Sequence, residues 1–214
     1  HSNLGIILSD LGKSQEAELC TRKAIEIKPN YAEAHFNLGN VLKDLGKSQE
    51  SFDSLFRVIE INSTFPNIYP VITRFIKESD ISQLNKSKLK DILNLLLERN
   101  DITHKELFNA FNFLFSNKII SHLKKIDSDF SKIELLVNEK IIINALKKIT
   151  FKDIRLEKLL TNVRKYLCNK VCKSKEEISN SELQFIIALG EQCFFNEYVY
   201  SFTEEENIAV NTII

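Results

Sequence analysis

The feature that most constrains this chain is an echo at a spacing of 34 residues. Asp10-Leu11-Gly12-Lys13-Ser14-Gln15-Glu16 returns unchanged as Asp44-Leu45-Gly46-Lys47-Ser48-Gln49-Glu50. Asn3-Leu4-Gly5 returns as Asn37-Leu38-Gly39, Ile25-Glu26-Ile27 as Ile59-Glu60-Ile61, and His1 as His35. A fixed period of about 20 to 50 residues marks stacked supersecondary units, none of which buries its apolar face alone. Such a stack presents a long surface, so binding of a partner is the first functional class to consider.

Two helices fit into each period. In the complete copy the first is expected from Ala34 to Leu45, closing at Gly46, because glycine takes the left-handed cap without strain. Leu38, Leu42 and Leu45 fall on one of its faces at helical spacing. The second helix is expected from Ser48 to Ile61, with Phe52, Leu55 and Ile59 on one face. Gly39 and Ser51 are small enough to let neighbouring helices approach closely.

These residues resemble the tetratricopeptide repeat, which wants a small residue at its eighth position and alanines on its second helix. Gly5 and Gly39 occupy the eighth position; Ala17, Ala24 and Pro29 complete the pattern in the first copy. The second copy departs from it, with Ser51 and Val58 for the alanines and Ser63 for the proline. The resemblance covers residues 1–65: a unit at 1–31 truncated at its start and a complete unit at 32–65. It implies an all-α fold in which the end of a helix-turn-helix solenoid leads into an irregular helical domain. The chain begins inside a repeat and contains no methionine, so we expect an internal segment of a longer protein with further repeats upstream.

After Pro66 and Pro70 the echo stops, and we expect a helical linker or bundle over 66–150 and a further helical segment over 151–214. Leu89, Ile92, Leu93, Leu96 and Leu97 form one apolar stripe, and Leu107, Phe108, Phe111, Leu114 and Phe115 another. Ile133, Leu136, Val137 and Ile141 continue the pattern, and Leu156, Leu159, Leu160, Val163 and Leu167 give a fourth. Thr103 with Glu106, Ser174 with Glu177, and Thr203 with Glu206 have capping-box spacing. Residues 183–200 are apolar on nearly every side, which predicts a helix buried all round, either at the centre of this region or beneath a further domain.

A second resemblance lies in residues 150–210. Leu156–Leu167, Ile187–Tyr200 and Thr203-Glu204-Glu205-Glu206 look like the helical linker between repeats and catalytic domain in bacterial fusions to S-adenosylmethionine-dependent methyltransferases. This implies a longer protein with a methyltransferase beyond residue 214. The family's glycine-rich cofactor loop is not in this chain, which has five glycines and no G-x-G.

Composition narrows the remaining choices. Basic and acidic residues balance at 29 each, so no broad attraction to nucleic acid or an anionic membrane is expected. No apolar run approaches the roughly 18 residues needed to cross a bilayer. Cys20, Cys168, Cys172 and Cys193 make no C-x-x-C pair and His1, His35, His104 and His122 are scattered, so no metal site is expected. We read the cysteines as reduced thiols of a cytoplasmic protein, and His1 and His35 as core filling. Neither a catalytic constellation nor a cofactor motif is present, so the chain itself is expected to be non-catalytic.

Three functional readings follow. In the first, a protein or peptide ligand lies along a concave face made by the first helix of each unit. Asn37 and Asn40 share a helix face, Asn3 holds the repeat position of Asn37, and amides can grip a peptide backbone through donor and acceptor together. Such a ladder resembles the repeat region of protein O-linked N-acetylglucosamine transferases; the competing and plainer reading takes the same asparagines as ordinary solvent-facing residues. Lys43, with Glu33 and Asp44, adds charge of mixed sign. The candidate ligand-binding residues are therefore Asn3, Asn37, Asn40 and Lys43. In the second reading the repeats recruit substrate to a downstream methyltransferase or, alternatively, a sugar transferase. In the third, the chain is a helical spacer.

Overall fold

The structure, a computed structural model, describes residues 2–123, 134–173 and 179–195. Among these residues the regular structure is helical throughout. The chain divides into two compact units, His1–Glu106 and Leu107–Ile214.

The first unit is built from helical hairpins. α1 (Ser2–Asp10) pairs with α2 (Ser14–Ile27), and α3 (Ala32–Asp44) pairs with α4 (Ser48–Ile61). The repeated Leu-Gly-Lys turns close identically. Gly12 and Gly46 take φ of +73° and +72°; Lys13 N donates to Leu8 O at 2.8 Å, and Lys47 N to Leu42 O at 2.9 Å. This is the bonding by which a left-handed glycine satisfies the last carbonyls of a helix. Between α3 and α4 the chains come close: a Cβ on Gly39 would stand 2.9 Å from Leu55 Cγ. Ser51 is fully buried, and its hydroxyl donates to the Gly39 carbonyl at 2.6 Å. Gly5 meets Thr21 at the corresponding place in the first copy.

The sequence echo ends at Pro66, but the helices go on: α5 (Ile68–Glu78) packs on α4 and is followed, across residues 79–85, by α6 (Lys86–Glu98). Ile68, Ile72, Phe75 and Ile76 are buried on α5, each 34 residues after a buried position of α3: Ala34, Leu38, Val41 and Leu42. Pro66 and Pro70 do not prevent this. Pro70 sits in the first turn of α5, where a missing N–H breaks no helical bond, and Asn67 before the helix takes the left-handed region at φ +58°. Phe52 and Phe75 stack with centroids 6.0 Å apart, and Asn85 N donates to Gln49 Oε1 at 2.7 Å, fastening α5 and the start of α6 to α4. At the other end α1 is barely covered. Leu4 and Ile7 are 47% and 55% exposed, where their counterparts Leu38 and Val41 are 4% and 3%.

The second unit contains α7 (Phe108–Phe111), α8 (Asn117–Leu123), α9 (Glu134–Val137), α10 (Lys140–Lys148), α11 (Ile154–Lys173) and α12 (Asn180–Phe195). Its aromatic core centres on Phe151, which stacks on Phe111 at 5.0 Å, with Phe115 5.3 Å beyond. The expected continuous helix through residues 107–115 is interrupted. Asn112–Ser116 is a π turn, whose extra residue rotates the face that follows. The stripes around Leu136 and Ile141 likewise belong to two helices, broken at Asn138 and Glu139.

α12 does not lie at the centre of this unit, since Leu183 and Ile187, four residues apart, are 46% and 43% exposed, and the alternative of burial beneath a further domain is not tested by this chain. Its inner face is Phe185, Ala188, Leu189 and Gln192, and the helix packs on α10. Two other expectations are corrected. The capping box at Thr103 does not form, because Glu106 turns away to accept from Lys77 Nζ at 2.9 Å. A capping box closes instead at Ser179, whose N–H and hydroxyl both donate to Glu182 Oε2 at 2.9 Å. Those proposed at Ser174 and Thr203 lie outside the described residues. His35 is half-buried rather than in the core, with Nε2 2.9 Å from the Pro29 carbonyl.

Two outcomes test this packing. Gly39→Val must displace Leu55 and is expected to lower unfolding free energy by about 1–3 kcal/mol in a denaturant titration, whereas Gly46→Ala loses about 1–2 kcal/mol through its left-handed backbone alone. Acid sensitivity follows from Glu18, whose carboxylate accepts from Lys47 at 2.8 Å and from Arg22 at 3.0 Å. The Lys47 hydrogen bond, opposed by burial and aided by Arg22, holds this carboxyl below its ordinary 4.5. The unfolded chain therefore binds more protons, and the contribution is present above pH 4.5 and lost as pH falls through the folded value. Glu18→Gln should narrow the difference between denaturation midpoints at neutral pH and well below that value.

Candidate functional site

The residues predicted to bind a ligand lie on α1 and α3. On α3, Asn37 is half-buried and Asn40 exposed. They stand three positions apart, so they point to the same side. Asn3 lies on α1, and its side chain is outside those described. Lys43 is exposed but engaged: its ammonium bonds Glu78 Oε2 at 2.6 Å, crossing from α3 to α5. This pulls the Glu78 carboxyl below its ordinary 4.5, the Lys43 hydrogen bond being the largest cause. The predicted cation thus ties α3 to α5. Glu33, expected to add charge, accepts from the Tyr31 hydroxyl at 2.6 Å.

The same slots recur on α5. Counting 34 residues on, Asn37, Asn40, Lys43 and Asp44 become Val71, Arg74, Lys77 and Glu78. All four line a groove of about 560 Å³, together with Asn67, Pro70, Thr73 and parts of the segment 101–106. Opposite α5, Asp101 is held by Arg99 through two bonds of 2.7 Å, and Glu106 by Lys77. The Arg99 hydrogen bond keeps the Asp101 carboxyl below its ordinary 3.8. Arg99 also lies 3.6 Å over the Tyr69 ring, which anchors this segment beside α5. Sequence reasoning missed Val71, Arg74 and Lys77 because residue identity fades at Pro66. The buried rhythm of Ile68, Ile72, Phe75 and Ile76 was the signal that could have found them.

A second groove, of about 490 Å³, is lined by Arg22, Ile25 and Glu26 of α2, His35 and Leu38 of α3, and Asp53, Ser54 and Arg57 of α4. None of Asn37, Asn40 and Lys43 is in its wall. Arg57 is tied to Asn30 at 3.0 Å and Glu60 at 2.9 Å, and Asp53 is paired with Lys88. Its charges mainly join one hairpin to the next.

Among the described residues no group of three or more His, Cys, Asp or Glu side chains could hold a metal ion. Nor is any of their helices long and apolar enough to cross a membrane. Lys43→Ala should release Glu78, and its carboxyl pKa, read by carbon NMR titration, is expected to rise toward 4.5.

Comparison with known families agrees with this geometry. Residues 5–46 match a family model described as TPR repeat, and residues 32–65 match one described as tetratricopeptide repeat. No curated protein matches the chain. Residues 5–65 thus match tetratricopeptide repeats, and among the described residues the regular structure is helical throughout.

Proposed function

We propose that the first unit is a protein–protein interaction scaffold that receives an extended polypeptide along the concave face of α1, α3 and α5. Tetratricopeptide repeats generally bind protein partners, so the class of ligand follows from the family matches. One observation carries the placement: the slots of Asn37, Asn40 and Lys43 recur, one period later, in the wall of a groove. The face combines amides, an aliphatic side chain and charges, which suits main-chain gripping with a few side-chain contacts. We take the chain to bind rather than to catalyse.

The finer reading, recruitment of substrate to a methyltransferase, is supported only by the resemblance of residues 150–210. Calorimetry with S-adenosylmethionine on a longer protein carrying this segment tests it; absence of binding would remove that reading and leave the scaffold.

The scaffold itself is tested by photo-crosslinking. A benzophenone side chain at Asn40 is expected to capture polypeptide, while one at exposed Lys23 of α2 is not. Equal capture at both positions would sink the assignment of the face.

A further inference from the structure

We propose that the groove between α5 and residues 101–106 holds an acidic side chain of the bound polypeptide, paired with Arg74. The inference rests on the scaffold reading and adds the chemistry that the partner must bring. The charges around the groove are already matched, with one exception. Lys77 bonds Glu106 at 2.9 Å, Lys43 bonds Glu78 at 2.6 Å, and Arg99 clasps Asp101 through two bonds. Arg74 lies in the wall, is exposed, and makes no ion pair or hydrogen bond among the described residues. It reaches Glu78, one turn on, only through the longer-range field, and that carboxylate is committed to Lys43.

A cation entering this groove would meet carboxylates that already have partners, and would have to displace a lysine or an arginine. An anion meets an unmatched guanidinium, whose planar fork suits a carboxylate. A second polar group in the same wall lacks a partner. Thr73 is only 2% exposed, and its hydroxyl makes no hydrogen bond. The position matters for how a partner would lie. Arg74 takes the slot that Asn40 holds one repeat earlier, so a segment gripped along α3 reaches Arg74 on passing to α5.

The test uses the 214-residue chain and synthetic nonapeptide pools, acetylated and amidated, with the central position fixed as Glu, Gln or Lys and the others randomised. The Glu pool should bind the wild type about three- to tenfold more tightly than the Gln pool, as expected for one partly exposed charge-assisted pair. Arg74→Ala should abolish that preference, Arg74→Lys should restore part of it, and Arg74→Glu should shift it toward the Lys pool. Circular dichroism of each variant checks that the helices persist. Wild type that binds Glu and Gln pools alike, or a preference that survives Arg74→Ala, overturns the acidic site and leaves the scaffold reading standing. Binding that needs a free C-terminal acid also overturns it, since the anion would then be main-chain. If no pool binds at all, the peptide-binding reading falls and this inference with it.

Discussion

Helices α3 and α4 can meet as they do only because neither carries bulk at the crossing. Gly39 offers its bare backbone to Leu55, and Ser51, fully buried, answers the Gly39 carbonyl with a hydrogen bond. That bond matters because a buried hydroxyl left without a partner is costly. The first hairpin meets the same demand differently, for Thr21 stands opposite Gly5 and turns its hydroxyl back to the Ala17 carbonyl at 2.7 Å. Close approach at this point lets Leu38, Leu42, Phe52 and Leu55 be buried together, and Phe52 in turn supplies the surface on which Phe75 stacks. α5 therefore inherits its seat from a contact made one repeat earlier.

Charge plays a different part. Glu18 with Lys47, Arg22 with Glu50, Lys43 with Glu78 and Lys88 with Asp53 all link segments far apart in sequence. Exposed pairs of this kind contribute little to stability one at a time. What they do here is occupy ionic side chains in joining neighbours. The groove beside α5 keeps a single arginine outside that scheme, which is why its chemistry can be read at all.

Much of the first unit was legible because identity itself repeats. The turns at Gly12 and Gly46, the helix Ser48–Ile61 and the close contact at Gly39 all follow from residues that come twice. α5 was hidden because Pro66, Asn67 and Pro70 carry the outward signs of a stop, although each fits the start of a helix. On the candidate face, Asn37 was singled out because Asn3 holds the same repeat position and Asn40 because it lies three positions on, while Arg74 was not, since it replaces an asparagine and nothing local marks it. The π turn after Phe111 and the exposed side of α12 were hidden for another reason. Both depend on which neighbour covers an apolar residue, and hydrophobic spacing does not say which side that is.

The ion pair between Lys43 and Glu78 has a mechanical consequence. In a stack held by nearest-neighbour contacts, resistance to opening at each step is set by the packing of its helices and by the surfaces they share. The bond from α3 to α5 spans such a step with two exposed side chains, and an exposed pair weakens as salt rises. Ionic strength therefore acts on this seam as a spring constant, slackening the step while the apolar contacts beneath it hold.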